Sequence, residues 1–411
     1  MSVLYRNARI IDGLGTQLSD HAVLIEGERI ARVAASAEFD GFAGETRDLT
    51  GTTLLPGLID CHVHLVFGCE ASPGEAVDKL APGEVTVRAL ANARDTLLGG
   101  ITAVRDCGGQ NYLEFAVRDA CNRGQFDGPT IRAAGKMICM TGGHGNRVGR
   151  IADGVDEVIK AVREQIHAGS DLIKIMATGG VMTPGVNPED AHYSAEEMAA
   201  GIAEGHRFHK TCASHAQGTE GILNAVRGGV DSIEHGIFLT DHCVQAMLDG
   251  GTYLVPTLAA LANIIESAHR GIPDYAVDKA RRVAEQHRIS IKTFYDAGGR
   301  IAMGTDAGTP FNQHGENAKE LALMVDIGVS PMDAITFSTS NGAKLMRLED
   351  HGRIREGAVA DILVVAGDPL EDIQAVADVA NHRLVTKRGR VVSVAEAGPA
   401  AGAKMAMAAA S

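Results

Sequence analysis

Paired cysteines are the first thing this chain lacks. Its seven cysteines are an odd number spread from Cys61 to Cys243, and no two have the Cys-x-x-Cys spacing. A disulfide framework and a structural zinc ribbon are therefore excluded as organising devices. Long apolar runs are missing too, since no segment approaches the ~20 uninterrupted apolar residues of a membrane span. The opening stretch MSVLYRNARIIDGLG is broken by Arg6, Arg9 and Asp12 and holds no apolar leader core. Basic charge is in deficit, with 38 Lys and Arg against 52 Asp and Glu and a net charge of −14. Phosphate backbones are gripped by clustered Lys and Arg, so nucleic acid is not an expected partner. Phosphate loops are absent as well. Neither Gly142-Gly143-His144-Gly145 nor Ala177-Thr178-Gly179-Gly180 fits GxxxxGK[ST] or a strand-bound GxGxxG. Those glycines read better as places where backbone approaches a ligand closely. A cytoplasmic protein acting on a small molecule, with no membrane partner, is the expectation that remains.

What is present has the texture of a large α/β chain. Apolar residues make up 45% and charged residues 22% of 411, ordinary values, and the length suits a barrel with a satellite module. Residues 1–56 read as short strands, Ala8–Ile11, Ala22–Ile25 and Arg29–Val33, separated by glycine-containing turns. From Pro56 short apolar runs alternate with helical patterns. Strands are predicted at Gly57–Val63, Thr102–Arg105, Thr130–Ala133, Leu172–Ala177, Thr211–His215, Ser232–His235, Thr252–Pro256 and Arg300–Thr305. Helices are predicted at Glu84–Leu98, Val155–Ala168 and Ala195–His209, the last opened by Ser194 and Glu197 in capping-box spacing. Ser330-Pro331 reads as another helix start. Eight strands with intervening helices predict a (β/α)8 TIM barrel over residues 57–350, its reactive side chains at the strand C-termini. After about His351 strands return at Gly352–Ile354, Asp361–Val365 and Arg383–Val392. Residues 351–396 are thus expected to join 1–56 in one small β-sandwich. The Ala- and Gly-rich tail, 397–411, is assigned no function.

The strand ends carry the chemistry. In Leu54–Leu65, LLPGLIDCHVHL, side-chain alternation puts His62 and His64 on one face of a strand, well placed to hold a metal ion. His215, His235 and Asp306 end three later strands. Lys174 lies inside Leu172-Ile173-Lys174-Ile175-Met176, where an unpaired ammonium is costly. Either a neighbouring carboxylate pairs with it, or it is a neutral amine nucleophilic toward carbon dioxide. The latter gives a carbamate, whose two oxygens can bridge two metal ions. Singly, each histidine has an ordinary reading as a hydrogen-bonded core or loop residue, and Asp306 as a cap. Six metal-capable side chains at the ends of five strands make those readings improbable together.

These motifs, GLIDCHVHL, KIMATGGV, SHAQG, SIEHG, GTDAG and the C-terminal GRIREGAVADILVV, resemble the amidohydrolase superfamily over nearly the whole chain. Within it the sequence looks most like the branch of imidazolonepropionase-like proteins and metal-dependent dipeptidases of the prolidase type. The KIMATGG segment and the Thr141–Gly145 loop, TGGHG, point to the dipeptidase side. The resemblance implies two divalent metal ions, expected to be zinc. His62, His64 and Asp306 would hold one, His215 and His235 the other, and carboxylated Lys174 would bridge them. It implies a metal-bridging hydroxide as nucleophile, Asp306 as proton shuttle and His144 as hydrogen-bond donor to the carbonyl or tetrahedral oxygen. It also implies a homo-oligomer. One position departs: where prolidase-like relatives carry a substrate-binding Tyr two residues past the third metal histidine, this chain has Gln217. Arg147 is a candidate anchor for a substrate carboxylate, and His192 and Tyr193 are candidates to line the pocket. The expected activity is hydrolysis of an amide bond in a dipeptide or N-acyl amino acid with a free carboxylate. Hydrolysis of a cyclic amide, urea, carbamate or lactone is the alternative, and a non-catalytic scaffold is disfavoured because no ligand is missing.

Overall fold

The computed structural model describes residues 2–394. The expected tail, 397–411, lies outside them. Seven of the eight predicted barrel strands are present, every end within one residue of the prediction: Leu58–Val63, Ile101–Asp106, Thr130–Ala133, Leu172–Met176, Thr211–Ala216, Ser232–His235 and Tyr253–Val255. All the pairings among them are parallel. Leu58–Val63, Ile101–Asp106 and Leu172–Met176 are buried along their whole length. Parallel strands covered on both faces are expected to be continuously apolar, and these mostly are. The polar exceptions, among them Asp60, Arg105, Lys174 and Glu234, have no water to fall back on and must find partners inside.

The eighth segment is extended but irregular. Leu254 N donates to Arg300 O at 2.8 Å and Ala302 N to Leu254 O at 3.0 Å on one side. On the other, Cys61 N donates to Met303 O at 2.8 Å and Asp306 N to His62 O at 2.7 Å. It therefore lies between Tyr253–Val255 and Leu58–Val63, although only isolated bridges form there. Asp306, with φ 62, breaks the ladder. Between Thr130–Ala133 and Leu172–Met176 two short unpredicted strands, Ile138–Cys139 and Arg150–Ile151, pair with each other, and the first pairs with Ile175. They carry the Thr141–Gly145 loop between them. The architecture is a TIM-barrel-like α/β fold. The capping box of Ser194 and Glu197 forms as expected, and Ser330 caps Pro331–Thr336.

The terminal segments build two sheets. One orders Arg29–Ala35, His21–Glu26, Ser2–Arg6 and Glu45–Asp48. The other runs Arg390–Val394, His382–Lys387, Ile362–Ala366, Thr52–Pro56, Arg9–Ile11 and Gln17–Leu18. Tyr5, Val23 and Ile30 of the first pack with Leu54, Ile362 and Leu384 of the second in one apolar cluster. Two expectations here need correction. Arg383–Val392 is not one strand but a hairpin, His382–Lys387 and Arg390–Val394, turned by left-handed Arg388 and Gly389. Gly352–Ile354 is not a strand but an irregular loop, tied by a 2.9 Å bond from Ile354 N to the Asp12 carbonyl. All seven cysteines are reduced and buried. No helix among the described residues is long and apolar enough to cross a membrane.

Two buried contacts generate measurable expectations. Lys387 fastens the terminal sheets to the barrel strands: its Nζ donates to Asp361 Oδ2 at 2.6 Å, Thr130 Oγ1 at 2.8 Å and the Thr102 carbonyl at 2.9 Å. Lys387→Met leaves the buried Asp361 carboxylate with only the Arg388 N–H, at 2.7 Å on Oδ1, and a loss of about 3–5 kcal/mol is expected in denaturant unfolding. His287, in the helix Asp274–Asp296, hydrogen-bonds the His235 carbonyl at 3.0 Å, and burial pulls its pKa down to about 4. Below the unfolded value of ~6.5 the unfolded chain takes up a proton that the folded chain refuses, so this residue erodes stability as pH falls toward 4. His287→Gln should flatten the fall of unfolding free energy between pH 6.5 and 4 by up to ~1.4 kcal/mol per pH unit. Identical slopes in the two proteins would refute this.

Candidate metal centre

Parallel strands point their C-termini to the same end, and six candidate side chains meet there. His62, His64, Lys174, His215, His235 and Asp306 all border one cavity of about 350 Å³. The His62 and His64 rings are 5.3 Å apart, His62 and His235 5.2 Å, and His215 and His235 4.6 Å. Asp306 Oδ1 lies 3.5 Å from His62 Nε2 and 3.2 Å from His64 Nε2. Donor atoms of His62, His235 and Asp306 fall within 4.8 Å of one another. Two of these residues reach the cluster only because their backbone is left-handed: His235 at φ 73 and Asp306 at φ 62. Such conformations are uncommon outside glycine and persist where the surroundings enforce them.

Each imidazole is fixed from behind. His62 Nδ1 donates to Glu234 Oε2 at 2.8 Å, and His64 Nδ1 to the Gly108 carbonyl at 2.7 Å. His215 Nε2 donates to the Gly179 carbonyl at 2.9 Å. His235 Nδ1 meets Thr257 Oγ1 at 2.6 Å, and that hydroxyl gives its own proton to the Pro256 carbonyl, so the ring is the donor. His64 Nε2 faces Asp306 Oδ1 at 3.2 Å, and in the other three rings the hydrogen sits on the nitrogen facing the support, which leaves the other nitrogen with a free lone pair. That is the tautomer a metal requires. Burial, followed by neighbouring positive or imidazole groups including Lys174, holds His62, His215 and His235 well below the usual histidine range. His64 differs: burial opposes its protonation, but Asp306, Asp106 and the Gly108 carbonyl outweigh burial and raise it.

Two polar atoms are left without hydrogen bonds in this cluster, Lys174 Nζ and Asp306 Oδ1, both shut away from water. A buried ammonium without a partner is costly, and so is an unsatisfied carboxylate oxygen. Four imidazoles, a carboxylate and an amine form a donor set that fits divalent metal.

The support was not anticipated from sequence. Glu234 is fully buried and accepts from Arg105 Nη2 at 2.7 Å and Ser232 Oγ at 2.6 Å besides His62. Arg105 also donates to the Cys61 carbonyl at 2.6 Å, on the strand that carries His62. Asp60 accepts from Thr305 Oγ1 at 2.6 Å and Asn317 Nδ2 at 2.7 Å, tying the first and last strands together. The signal that could have found them is the one that marked Lys174, a charged residue within an apolar strand run.

The remaining candidates divide. His144 borders the cavity with its ring 4.5 Å from that of His215, and Nδ1 lies 2.8 Å from Thr183 Oγ1. Burial first, then His192 and Lys174, pull its pKa down to about 3, so it is neutral near pH 7. Gln217 borders the cavity, and its Oε1 is buried without a partner. Arg147 stands at the mouth, half exposed, 2.7 Å from Asp78 Oδ2 and 3.7 Å from Glu75 Oε1. His192 and Tyr193 do not reach the cavity. His192 packs beneath the glycine loop at Gly143, and Tyr193 Oη donates to the Ala152 carbonyl at 2.8 Å within the core. The rest of the wall is largely apolar, with Phe67, Met137, Val181, Ile237, Leu261 and Ile264.

The chain is also similar to known proteins. Ochratoxinase from Aspergillus niger is 30% identical, over 95% of this chain and 86% of its own length. A crystal structure of a Xaa-Pro dipeptidase with methionine bound in its active site superposes with a TM-score of 0.88 at 33% identity, covering 95% of this chain and 99% of that one. A prolidase complexed with N-methylphosphonate-L-proline has a TM-score of 0.88 at 30% identity, covering 96% and 100%. The profile of the Amidohydrolase family matches residues 53–392. The chain belongs to the amidohydrolase family and is a hydrolase acting on amide C–N bonds.

Proposed function

We propose that the chain is a binuclear metal-dependent amidohydrolase cleaving an amide bond in a dipeptide or N-acyl amino acid with a free carboxylate. In this reading residues 57–350 form a closed (β/α)8 barrel, and 1–56 with 351–396 form a β-sandwich beside it. The observation that carries the proposal is the outward hydrogen-bonding of all four imidazoles around the partnerless Lys174 Nζ. His62, His64 and Asp306 would hold one ion, His215 and His235 the other, and the carbamate of Lys174 both. When bound, the ions supply Lewis-acid polarisation of the scissile carbonyl and acidify water.

The chain's own groups do the remainder. Asp306 accepts the proton of the attacking water on its exposed side and returns it to the leaving nitrogen. His144 is neutral, and with Nδ1 accepting from the Thr183 hydroxyl its Nε2–H is free to donate to the tetrahedral oxygen. The apolar wall excludes water and suits a hydrophobic side chain or acyl group beside the scissile bond. Gln217 supports a second reading. Its partnerless amide oxygen would accept an N–H from an uncharged cyclic amide or urea, which a carboxylate cannot offer.

A panel of dipeptides, N-acyl amino acids and cyclic amides, assayed with zinc-loaded enzyme, separates the two. Turnover of the first two classes alone is expected, with about two metal ions per chain by elemental analysis. Turnover confined to cyclic amides would overturn the substrate proposal, and metal-free active enzyme the binuclear one. Lys174→Ala should lose metal and most activity, with partial recovery in added short carboxylic acids. Full metal content and rate in that variant would remove the carbamate bridge from the mechanism.

A further inference from the structure

A second cavity, about 210 Å³, opens at the other end of the parallel strands. It is bordered by Leu172 and Thr211, the first residues of their strands, and by Met346. Its charged lining reverses the balance of the whole chain. Arg105, Arg132, Lys210 and Arg347 surround it, with Asp171 as the one carboxylate. Asp171 is already engaged, at 3.0 Å by Arg118 and 3.4 Å by Arg132. Nearby Asp231 is held by His206 Nε2 at 2.7 Å and by Cys212 N at 2.8 Å. Among the described residues, neither Lys210 nor Arg347 has a carboxylate in ion-pair contact. Arg347 is instead held over the rim by a 3.0 Å bond from Nη1 to the His209 carbonyl.

The floor of this cavity is Arg105, about 1% exposed. Three of its N–H groups go to Cys61 O, Ser232 Oγ and Glu234 Oε1. A guanidinium has five, so two donors remain on the Nη atoms. A buried cation with donors to spare, beneath two cations lacking carboxylates, has the chemistry of an oxyanion receptor. Guanidinium forks and an ammonium arriving from different sides match the several oxygens of a phosphate better than the single plane of a carboxylate.

We propose that this cavity binds a phosphate group, free or as the end of a small phosphate ester. The site is separate from the histidine cluster but joined to it by one side chain. The Arg105 that would form its floor also fixes Glu234, the partner of His62. A bound anion would therefore bear on the support of a proposed metal ligand from below.

The test is titration calorimetry on metal-loaded enzyme, at ionic strength held constant with KCl, using inorganic phosphate and glycerol 3-phosphate as probes. Wild type is compared with Lys210→Ala/Arg347→Ala, whose unchanged turnover in phosphate-free buffer would certify the fold, and with the milder Lys210→Gln. Phosphate bound at the metal ions would be common to all three proteins, so the difference between them is the readout. Binding in the double variant is expected to weaken at least ~10-fold, as loss of charge-assisted contacts implies, with the single variant between. Tighter binding of the ester than of phosphate assigns the ester as ligand, and the reverse assigns free phosphate. Equal affinities in wild type and both variants, or no heat beyond the KCl control, would overturn the proposal.

Discussion

Four imidazoles crowded around one cavity cannot all be charged, and burial keeps His62, His215 and His235 neutral while their supports keep all four aimed. Each ring needs an acceptor behind it, and the barrel supplies one from a different element every time: Glu234, Gly108, Gly179 and Thr257. These acceptors do more than orient. By fixing the hydrogen on the outer nitrogen of His62, His215 and His235 they commit the inner lone pairs to the cavity, an arrangement suited to a cation. Lys174 and Asp306 are left with unsatisfied atoms in the same space. The centre is thus built with a deficit that ligand binding would remove.

The support has to be as rigid as the site. Arg105 and Glu234 form a buried pair whose desolvation is offset by further bonds to Ser232, the Cys61 carbonyl and His62. Asp60 likewise gathers donors from Thr305, Asn317 and the His62 backbone. Both networks cross between strands far apart in sequence, which holds His62 in place from two directions. Around them, apolar packing of strands against helices excludes the water that would loosen these bonds. Apolar side chains line much of the rest of the cavity, with Arg147 at its mouth.

Much of this was legible along the chain. Seven barrel strands and the three predicted helices came from runs of apolar residues and their caps, because local periodicity and capping are local properties. The six metal-capable residues that the structure brings to one cavity stood out because each ends a strand or, for Lys174, defies its apolar surroundings. Failures came where the decisive contact is distant. Arg383–Val392 reads as one strand until the left-handed pair at Arg388 and Gly389 folds it back. Tyr193 sits close in sequence to the Lys174 strand, yet its hydroxyl is spent on Ala152 in the core.

The sequence by itself determined seven of the parallel strands and the identity of the side chains that border the cavity. Only the tertiary structure decided which nitrogen of each histidine faces the cavity, and that Glu234, Arg105 and Thr257 are the groups that make this choice. It alone placed His144 beside His215 and removed His192 and Tyr193 from the cavity. The reason is physical. A strand's pattern reports burial, which is a property of the segment, whereas tautomer, reach and hydrogen-bond partner depend on residues brought together from distant parts of the chain.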